Sequence, residues 1–475
     1  MVQCGKLSRD YPDFDGLLRE DTMKKNVFVI GLDDHNTETL KSLRQVNSGD
    51  IRIRRMLEYE ETHGAAEYPI ADMLQKAVGV VNNFPGPIDA ITAFWDFPVS
   101  CMVPVLCAKY GLHSASLESV LKCEHKYWSR IEQKKVIPEH IPGFQSFDPF
   151  DDEALAGLKQ KLRYPFWIKP IKSFGSHLGF RIRNENDWKQ AIPIIRGNIG
   201  TFTEPFDYVM DLAEVPPEIA ENHDTCIAEE IISGRQCTLE GYVYNGKVKV
   251  YGIVDSIRYA NLPSFSRYQY PSSLPKAAQK QMIEITRKLM THVGYDNRAF
   301  NVEFFYDMKK GHPWLLEVNT RMAQSHADLF YKVDGATSHE IMTDLSLGQE
   351  PDFPHREGEY GCAGKFFVRA FRDGIVTSAP TAEKIAEAME RFPGLIVQPM
   401  VEEGMPLSQL LYQDSYSYYL AILYMGGRNE KDLMKKYYEC VAFLDYRVTD
   451  VGLDNETRHL PHPAYPVELS IDEQS

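Results

Sequence analysis

The sequence predicts an α/β protein built from several domains, and three observations support this prediction. The chain has 475 residues, which is long enough for two or three domains with large cores. Its hydrophobic content of 43% is that of a folded globular protein. Over residues 25–121, short apolar runs alternate with amphipathic stretches, which is typical of an open α/β domain.

The elements of this first domain follow from the spacing of their apolar residues. Three runs are predicted to be strands, at residues 26–31, 51–57 and 88–95. Three stretches with helical spacing are predicted to be helices, at residues 37–46, 71–81 and 98–110. Gly111 is predicted to end the last helix, because glycine readily adopts the left-handed conformation that follows many helix C-termini.

Composition and charge argue against several classes of protein. No apolar run approaches the roughly 20 residues that a membrane helix needs, and residues 1–10 lack a signal core, so we expect a soluble, cytoplasmic protein. The net charge of -15 argues against general nucleic-acid binding, which requires a basic surface. The eight cysteines contain no C-x-x-C pair, so neither a zinc site nor a dithiol motif is predicted.

The most informative pattern lies in residues 298–321. Two aromatic-rich runs, at residues 299–306 and 313–318, flank the segment Asp-Met-Lys-Lys-Gly. Such a short glycine-containing segment between apolar runs is typical of a β-hairpin loop. We therefore predict a hairpin whose loop is centred on Lys310.

This centre sets the register of the polar side chains. Glu303 then lies opposite Glu317, and Asn301 and Asn319 point to the same side. Directly opposed carboxylates repel at a Cβ separation of roughly 4.5–5.5 Å, so a cation between them is expected. Oxygen ligands that leave coordination positions free suit Mg²⁺, with Mn²⁺ as a substitute. Arg321 lies on the same side and offers a cation for an anionic reacting group. The structural alternative is a solvated outer face of an edge hairpin.

Residues 164–183 are predicted to be a strand, a loop and a second strand. The small residues of the loop are Ser173, Gly175, Ser176 and Gly179. Such residues allow backbone N–H groups to approach phosphate oxygens. Lys169 lies at an inward position of the first strand, where an unpaired ammonium would be costly. Contact with a phosphate and an internal ion pair would each remove that cost, and both remain open.

The rest of the chain gives further elements. Residues 121–135 are predicted to form one helix, and residues 196–224 an acidic insertion or lid surface. Further strands are predicted at residues 225–232, 236–244, 247–256, 364–371 and 394–401. Asn245-Gly246 is a strong turn signal between two of these strands. Further helices are predicted at residues 275–293, 338–347, 382–391 and 430–444.

Taken together, residues 26–448 resemble the ATP-grasp superfamily of carboxylate–amine and carboxylate–thiol ligases, which includes biotin carboxylase and D-alanine–D-alanine ligase. The most specific part is the pair N-V-E-F and L-L-E-V-N-T-R, at residues 301–304 and 315–321. The resemblance implies an ATP-grasp fold with an open α/β domain, a two-lobed ATP-binding region with a mobile lid, and a C-terminal lobe. The predicted divisions are 1–24 (extension), 25–121 (α/β domain), 122–350 (grasp domain, lid about 164–240), 351–455 (C-terminal lobe) and 456–475 (tail).

The resemblance also implies roles for residues of the hairpin. Glu303, Glu317 and Asn319 would hold magnesium, and Arg321 would contact the transferred phosphoryl group or the carboxylate. Biotin carboxylases carry a catalytic glutamate four residues after the matching arginine, where this chain has Ser325. This difference argues against carboxylation of biotin.

Other implied roles concern the nucleotide. Lys126 resembles the nucleotide-binding lysine at the entry to the grasp domain, Lys169 the lysine on the α- and β-phosphates, and residues 173–179 the loop over them. The hinge that reads adenine through its backbone would be Glu229, Glu230, Ile231 and Ile232. Gln236 stands where the family often has a glutamate on the ribose hydroxyls.

The function predicted from these residues is ATP-dependent joining of a carboxylate to an amine through an acyl phosphate. ATP and Mg²⁺ are the expected cofactors, two small molecules the expected substrates, and a homodimer the default assembly. Arg258, Arg267 and His326 are expected to flank the substrate side, with Arg258 and Ser325 among the candidate catalytic residues. The alternatives are a biotin-carboxylase-like or other phosphoryl-transfer enzyme, and a regulatory ATP-binding protein without turnover.

Overall fold

The computed structural model describes residues 24–63, 67–172, 178–220, 225–260, 262–410, 417–450 and 457–459. Over these residues the strands form four sheets, with helices packed against them. No helix within these ranges is both long enough and apolar enough to cross a membrane.

The first sheet is parallel and belongs to the N-terminal domain. Its strands are β1 (Lys25–Leu32), β2 (Ile51–Glu58) and β3 (Ala90–Ala93), in the order β2-β1-β3. The helices of this domain are α1 (Asp34–Lys41), α2 (Arg44–Asn47), α3 (Tyr59–Thr62), α4 (Ile70–Asn83) and α5 (Val99–Tyr110). The three predicted strands and the helices predicted at residues 71–81 and 98–110 are confirmed, and Gly111 ends α5 with a φ of 67°. The single helix predicted at residues 37–46 is wrong, because Ser42 ends α1 and α2 begins at Arg44.

The helix predicted over residues 121–135 is wrong, because two helices meet there. They are α6 (Leu117–Glu124) and α7 (Lys126–Val136). His125 separates them, and its Nδ1 accepts the backbone N–H of Trp128 at 3.1 Å as an N-cap. Burial lowers the pKa of His125 to about 3, which keeps the imidazole neutral and able to accept. The break makes Lys126 the first residue of a helix.

The second sheet is antiparallel and begins the region after α7. Its strands are β4 (Phe144–Phe147), β5 (Phe166–Pro170), β6 (Phe180–Ile182) and β7 (Cys226–Glu230), in the order β4-β7-β5-β6. Buried side chains of α8 (Ala154–Lys161) and α9 (Glu185–Asn198) share one apolar core with these strands. The two strands predicted within residues 164–183 are confirmed as β5 and β6.

Between β6 and β7 the chain also forms α10 (Gly200–Met210) and α11 (Pro217–Ala220). The prediction that residues 196–224 form an exposed surface is wrong for α10. Its Phe206 is fully buried and packs edge-on against Phe97, with 5.5 Å between the ring centroids. The segment is acidic overall, but the apolar residues of α10 lie on one helix face that packs into the main core.

The remaining strands, in chain order, are β8 (Arg235–Tyr244), β9 (Lys247–Arg258), β10 (Phe265–Tyr270), β11 (Arg298–Asp307), β12 (His312–Asn319), β13 (Cys362–Ala370), β14 (Gly374–Ser378), β15 (Ile396–Pro399), β16 (Tyr418–Gly427), β17 (Arg447–Asp450) and β18 (Thr457–His459). Eight of them form one antiparallel sheet in the order β12-β11-β8-β9-β10-β13-β16-β15. The remaining three described strands form a small sheet in the order β14-β17-β18.

The helices of this half of the chain are α12 (Lys276–His292), α13 (Ala327–Asp334), α14 (Ser338–Ser346), α15 (Ala382–Arg391) and α16 (Glu430–Leu444). The predicted turn at Asn245-Gly246 is confirmed, with φ of 48° and 73° at the two residues. Strands β13, β15 and β16 extend the same sheet as the predicted hairpin. The sheet is therefore continuous across residue 350, where the sequence suggests a domain boundary.

Candidate active site

The polar residues of the β11–β12 hairpin lie where the sequence predicts them. Glu303 pairs with Glu317, and Asn301 pairs with Asn319. The Asn319 side-chain amide donates to Asn301 Oδ1 at 2.8 Å and to Glu303 Oε1 at 3.4 Å, so these groups share one face. The alternation of β-strands thus brings two carboxylates and two amides together at one end of the hairpin.

The two carboxylates have different electrostatic surroundings. Burial, and then the charge of Glu317, raise the pKa of Glu303 to about 6. Burial also acts upward on the pKa of Glu317, but Lys126 and Lys169 outweigh it and hold that pKa below its ordinary value. Lys126 Nζ lies 3.0 Å from Glu317 Oε1, and 35% of the Glu317 side chain remains exposed.

The donor set of this hairpin fits a hard divalent cation. Among the described residues no group of three or more His, Cys, Asp or Glu side chains is arranged to hold a metal. Two carboxylates and an amide oxygen are few ligands, and Mg²⁺ usually takes its other positions from water and phosphates. A cation would also stabilise the charged form of Glu303, which burial disfavours. Glu303, Glu317 and Asn319 therefore fit a magnesium–nucleotide site.

The raised pKa of Glu303 gives a prediction for the metal-free protein. Folding raises the pKa of Glu303 from 4.5 to about 6, so the cost is absent below pH 4.5 and complete above pH 6. We expect Glu303→Gln to raise the free energy of unfolding by about 1–2 kcal/mol at pH 7.5. The gain should disappear near pH 4.5. Denaturant unfolding in EDTA at both pH values measures it, and equal stability of the two proteins at pH 7.5 would contradict the assignment.

Lys169 forms an internal ion pair, which is one of the two arrangements that the sequence analysis leaves open for it. Its Nζ lies 2.9 Å from Glu229 Oε2, and Arg130 Nε lies 2.6 Å from the other oxygen of the same carboxylate. Burial opposes ionisation of Glu229, but the two cations outweigh it and lower its pKa to about 2. Lys169 retains 13% exposure of its side chain and also lowers the pKa of Glu317. It therefore lies close to the hairpin carboxylates while it is paired.

Arg130 joins the second sheet to the hairpin. Besides Glu229 on β7, its guanidinium donates to the backbone carbonyls of Leu315 and Leu316 on β12, at 3.2 and 2.7 Å. No local pattern selects Arg130, because its partners are about 100 and 185 residues away in the sequence. This arginine fixes the position of Lys169 relative to Glu317.

The predicted hinge lies at the end of β7. Glu230 is exposed, and its backbone N–H donates to the carbonyl of Gly143 at 2.9 Å. The next residue, Ile231, has 39% of its surface exposed. An exposed apolar residue just after the strand is compatible with a planar ligand, and reading of adenine by residues 229–232 stays a prediction.

Gln236 lies on the metal-binding face and connects two groups there. Its amide donates to Glu303 Oε2 at 3.0 Å and its carbonyl accepts from Arg258 at 2.7 Å. The ribose contact predicted for Gln236 stays a prediction. What the structure adds is a direct link between a metal-binding candidate and Arg258.

Arg321 has a partner that sequence reasoning missed. Its guanidinium forms two hydrogen bonds to the carboxylate of Asp96, at 2.8 and 2.7 Å. Asp96 follows β3 after two residues, and the carboxyl ends of parallel strands often carry site residues. That position is a signal that could have identified it. The pair holds the Arg321 guanidinium in a fixed orientation beside the hairpin.

The other predicted substrate-side residues divide into two groups. His326 is buried, and its Nδ1 lies 2.8 Å from Glu240 Oε1. Ser325 is half-buried in the same short 3₁₀ helix, Gln324–His326. Arg267 was predicted on the substrate side, which is wrong: it projects from the opposite face of β10 from Tyr268 and pairs with Glu430 at 2.9 Å.

The loop residues Ser173, Gly175 and Ser176 lie outside the described residues. The residue before this loop, Lys172, forms a buried ion pair with Glu124 at 2.5 Å. Thr320, between Asn319 and Arg321, donates to the other oxygen of Glu124 at 2.5 Å. Glu124 therefore connects Lys172, which precedes the predicted phosphate loop, with Thr320, which follows β12.

Comparisons with known proteins identify the fold of this chain. Residues 162–328 match the ATP-grasp domain family. The chain therefore contains an ATP-grasp domain, and its fold is the ATP-grasp fold. The prediction of this fold from residues 301–304 and 315–321 is confirmed.

Several solved structures share the fold at low sequence identity. The L-amino acid ligase from Bacillus licheniformis is 15% identical with a TM-score of 0.65, covering 90% of this chain and 100% of its own. Carboxyaminoimidazole ribonucleotide synthase from Aspergillus clavatus, complexed with ATP, is 13% identical with a TM-score of 0.60, covering 89% and 98%. Biotin carboxylase from Campylobacter jejuni is 14% identical with a TM-score of 0.55, covering 90% and 92%. A search of curated protein sequences finds no match.

Proposed function

We propose that this protein is an ATP-dependent ligase that activates a carboxylate as an acyl phosphate and joins it to an amine, releasing ADP and phosphate. One observation carries the proposal: the opposed carboxylates of Glu303 and Glu317 lie beside the ammonium groups of Lys126 and Lys169. The similarity in fold to an L-amino acid ligase supports it. The cytoplasmic location and the homodimer stay predictions.

The first step would be phosphoryl transfer, which depends on positioning and charge neutralisation more than on covalent catalysis. Magnesium, held by Glu303, Glu317 and Asn319, would neutralise charge on the transferred group. Lys126 and Lys169 supply two further positive charges at the same place. Together these groups would reduce the repulsion between the phosphates and an incoming carboxylate.

The second step would be attack of the amine on the acyl phosphate. Arg321 is held by Asp96 in a fixed orientation, so its guanidinium would contact the carboxylate and then the developing oxyanion. Water must be excluded, because an acyl phosphate hydrolyses.

The experiment that tests this function is release of phosphate from Mg-ATP across a matrix of small carboxylates and amines, alone and in pairs. We expect release only with a correct pair, and a product whose mass is that of both substrates less one water. Release with bicarbonate and an acceptor would favour the carboxylase alternative. Tight ATP binding with no release for any pair would favour the regulatory alternative.

Lys126 gives a separate prediction about the nucleotide. Lys126→Met removes one charge-assisted contact to a phosphate, so we expect ATP affinity to fall about tenfold to a hundredfold. Calorimetric titration with Mg²⁺ and a non-hydrolysable ATP analogue measures it. Lys122→Met is the matched control, because Lys122 pairs with Glu118 on the surface of α6. Equal affinities of both variants and the unmodified protein would show that Lys126 is structural.

A further inference from the structure

One face of the large sheet continues from the metal-binding carboxylates across four more strands. Glu303 pairs with Thr238 on β8, and Gln236, two residues away on the same face, pairs with Ser256 on β9. Tyr268 on β10 pairs with Ser256, and also with Lys365 on β13. Directly paired residues share a face and so do residues two apart, so all these side chains point to the same side.

Arg258 is a cation on this face that is connected to Glu303 through one residue, Gln236. Its guanidinium donates to Gln236 at 2.7 Å, and Gln236 in turn donates to Glu303 at 3.0 Å. The guanidinium also stacks on Phe265, 4.1 Å from the ring centroid, and bonds to the carbonyl of Pro263. Within the described residues Arg258 has no carboxylate partner. Its direct contacts are thus neutral groups, and the charge of Glu303 acts on it from further away.

Arg369 also contacts Phe265. Only 5% of its surface is exposed, and it donates to the Phe265 carbonyl at 2.9 Å and to the hydroxyl of Tyr419 at 2.8 Å. The guanidinium stacks on the Tyr419 ring at 3.9 Å. Its many contacts fix it in place, and Phe265 brings the two arginines to one region of the sheet.

Tyr268 lies on β10, on the same face as Arg258 and Lys365. Its ring packs against Phe265, Phe367 and His326, at centroid distances of 5.4, 5.2 and 5.1 Å. The charge of Glu303 acts to raise the pKa of its hydroxyl, and the charges of Arg369 and Arg258 act to lower it. Burial is the largest effect and raises that pKa, so the hydroxyl keeps its proton and can donate.

The two acidic groups described on this face, Glu303 and Glu240, already have other roles. Glu303 belongs to the metal site. Glu240 is fully buried and accepts from Tyr251, from His326 and from the backbone N–H of Ala323. A second cation, Lys365, lies opposite Tyr268 and forms no ion pair within the described residues. Within the part of the chain that the structure describes, the carboxylates of this face therefore form no ion pair with Arg258 or Lys365.

We propose that the acid substrate is a short dicarboxylic acid, whose second carboxylate binds Arg258 and the Tyr268 hydroxyl, with Arg369 behind them. The reacting carboxylate then lies at Glu303 and Glu317, two hydrogen bonds from Arg258. This inference rests on the proposed function for the role of the acid. The binding of an anion at Arg258 can nevertheless be measured without turnover. Arg258 is thereby a residue that determines specificity.

The test compares diacids with their monoamides, which have the same shape and one charge less. Calorimetric titrations of the Mg-ADP complex use malonate, succinate, glutarate and adipate, each against its monoamide. We expect at least one diacid to bind about tenfold or more tightly than its monoamide, since one charge-assisted hydrogen bond is worth about that factor. Arg258→Gln should remove this preference, and Arg258→Lys should restore part of it.

The control variant is Arg428→Gln, because Arg428 is exposed and pairs with Asp432 away from this face. It should keep the preference, and all variants should bind Mg-ADP equally, which shows that they are folded. No preference for any diacid, or a preference that survives Arg258→Gln, would overturn the proposal. A further titration compares glycine, as a model of the amine substrate, with glycinamide. If the protein discriminates only within this pair, the anion at Arg258 belongs to the amine substrate, and the proposal is overturned. Failure of the ligase function would appear separately, as absent turnover in the substrate matrix.

Discussion

Replacing Lys172 with methionine is expected to lower the free energy of unfolding by about 3–5 kcal/mol, because it leaves Glu124 as a buried carboxylate without its cation. Both side chains are less than 9% exposed. Lys172 also stacks on Phe97 and Phe206, with its Nζ 4.8 Å from each ring centroid. The side chain therefore joins α6, α10 and the turn before α5 at one point.

This junction also concerns the active site. Glu124 lies two residues before Lys126 and accepts a hydrogen bond from Thr320, which is the neighbour of Arg321. Burial acts to raise the pKa of Glu124, but Lys172 outweighs it and lowers the pKa to about 2. Loss of the pair should thus also weaken ATP binding, because the positions of Lys126 and Arg321 depend on it.

Denaturant unfolding measures the expected loss. The double variant Glu124→Leu with Lys172→Met is the matched control, since replacing both members of a buried pair with apolar groups is often nearly neutral. It should recover most of the stability lost in Lys172→Met. A loss below about 1 kcal/mol for Lys172→Met, as for an exposed pair, would show that the junction is not buried as the structure has it.

Glu317→Gln is expected to lower ATP turnover by at least about a hundredfold, because it removes one of two carboxylates at the proposed metal site. The change keeps the shape of the side chain, and Lys126 loses its ion-pair partner. We also expect the dependence of turnover on magnesium concentration to shift to higher concentrations. Steady-state phosphate release over a magnesium series measures both effects.

The control for Glu317→Gln is Glu284→Gln, because Glu284 is an exposed carboxylate on α12 that pairs with Arg287. It should leave turnover and its magnesium dependence unchanged. Turnover of Glu317→Gln equal to that of the unmodified protein, with the same magnesium dependence, would remove Glu317 from the metal site.

The hairpin register could be predicted because strand alternation and a short loop fix it locally. Placing the loop at Lys310 was enough to pair Glu303 with Glu317. The turn at Asn245-Gly246 was predictable for the same reason, since its backbone conformation depends on two residues. Such features need only neighbours in the sequence.

The ion pairs that position these residues could not be predicted. Asp96 and Arg321 are 225 residues apart, and Lys169 meets Glu229 only because β5 pairs with β7. The break at His125 was missed because a side-chain cap leaves the apolar periodicity of the segment intact. Continuity of the large sheet through β13 also depends on a pairing with β10 that no local pattern specifies.

Transfer of oxygen from the acid to phosphate tests the proposed chemistry most directly. The acid identified in the substrate matrix is labelled with ¹⁸O in both carboxylate oxygens and incubated with the amine, ATP and magnesium. If a carboxylate oxygen attacks the γ-phosphate and the amine then displaces phosphate, the released phosphate carries one ¹⁸O and the amide keeps the other. Phosphate without label, with the lost ¹⁸O recovered in AMP or in water, would contradict activation of the carboxylate as an acyl phosphate.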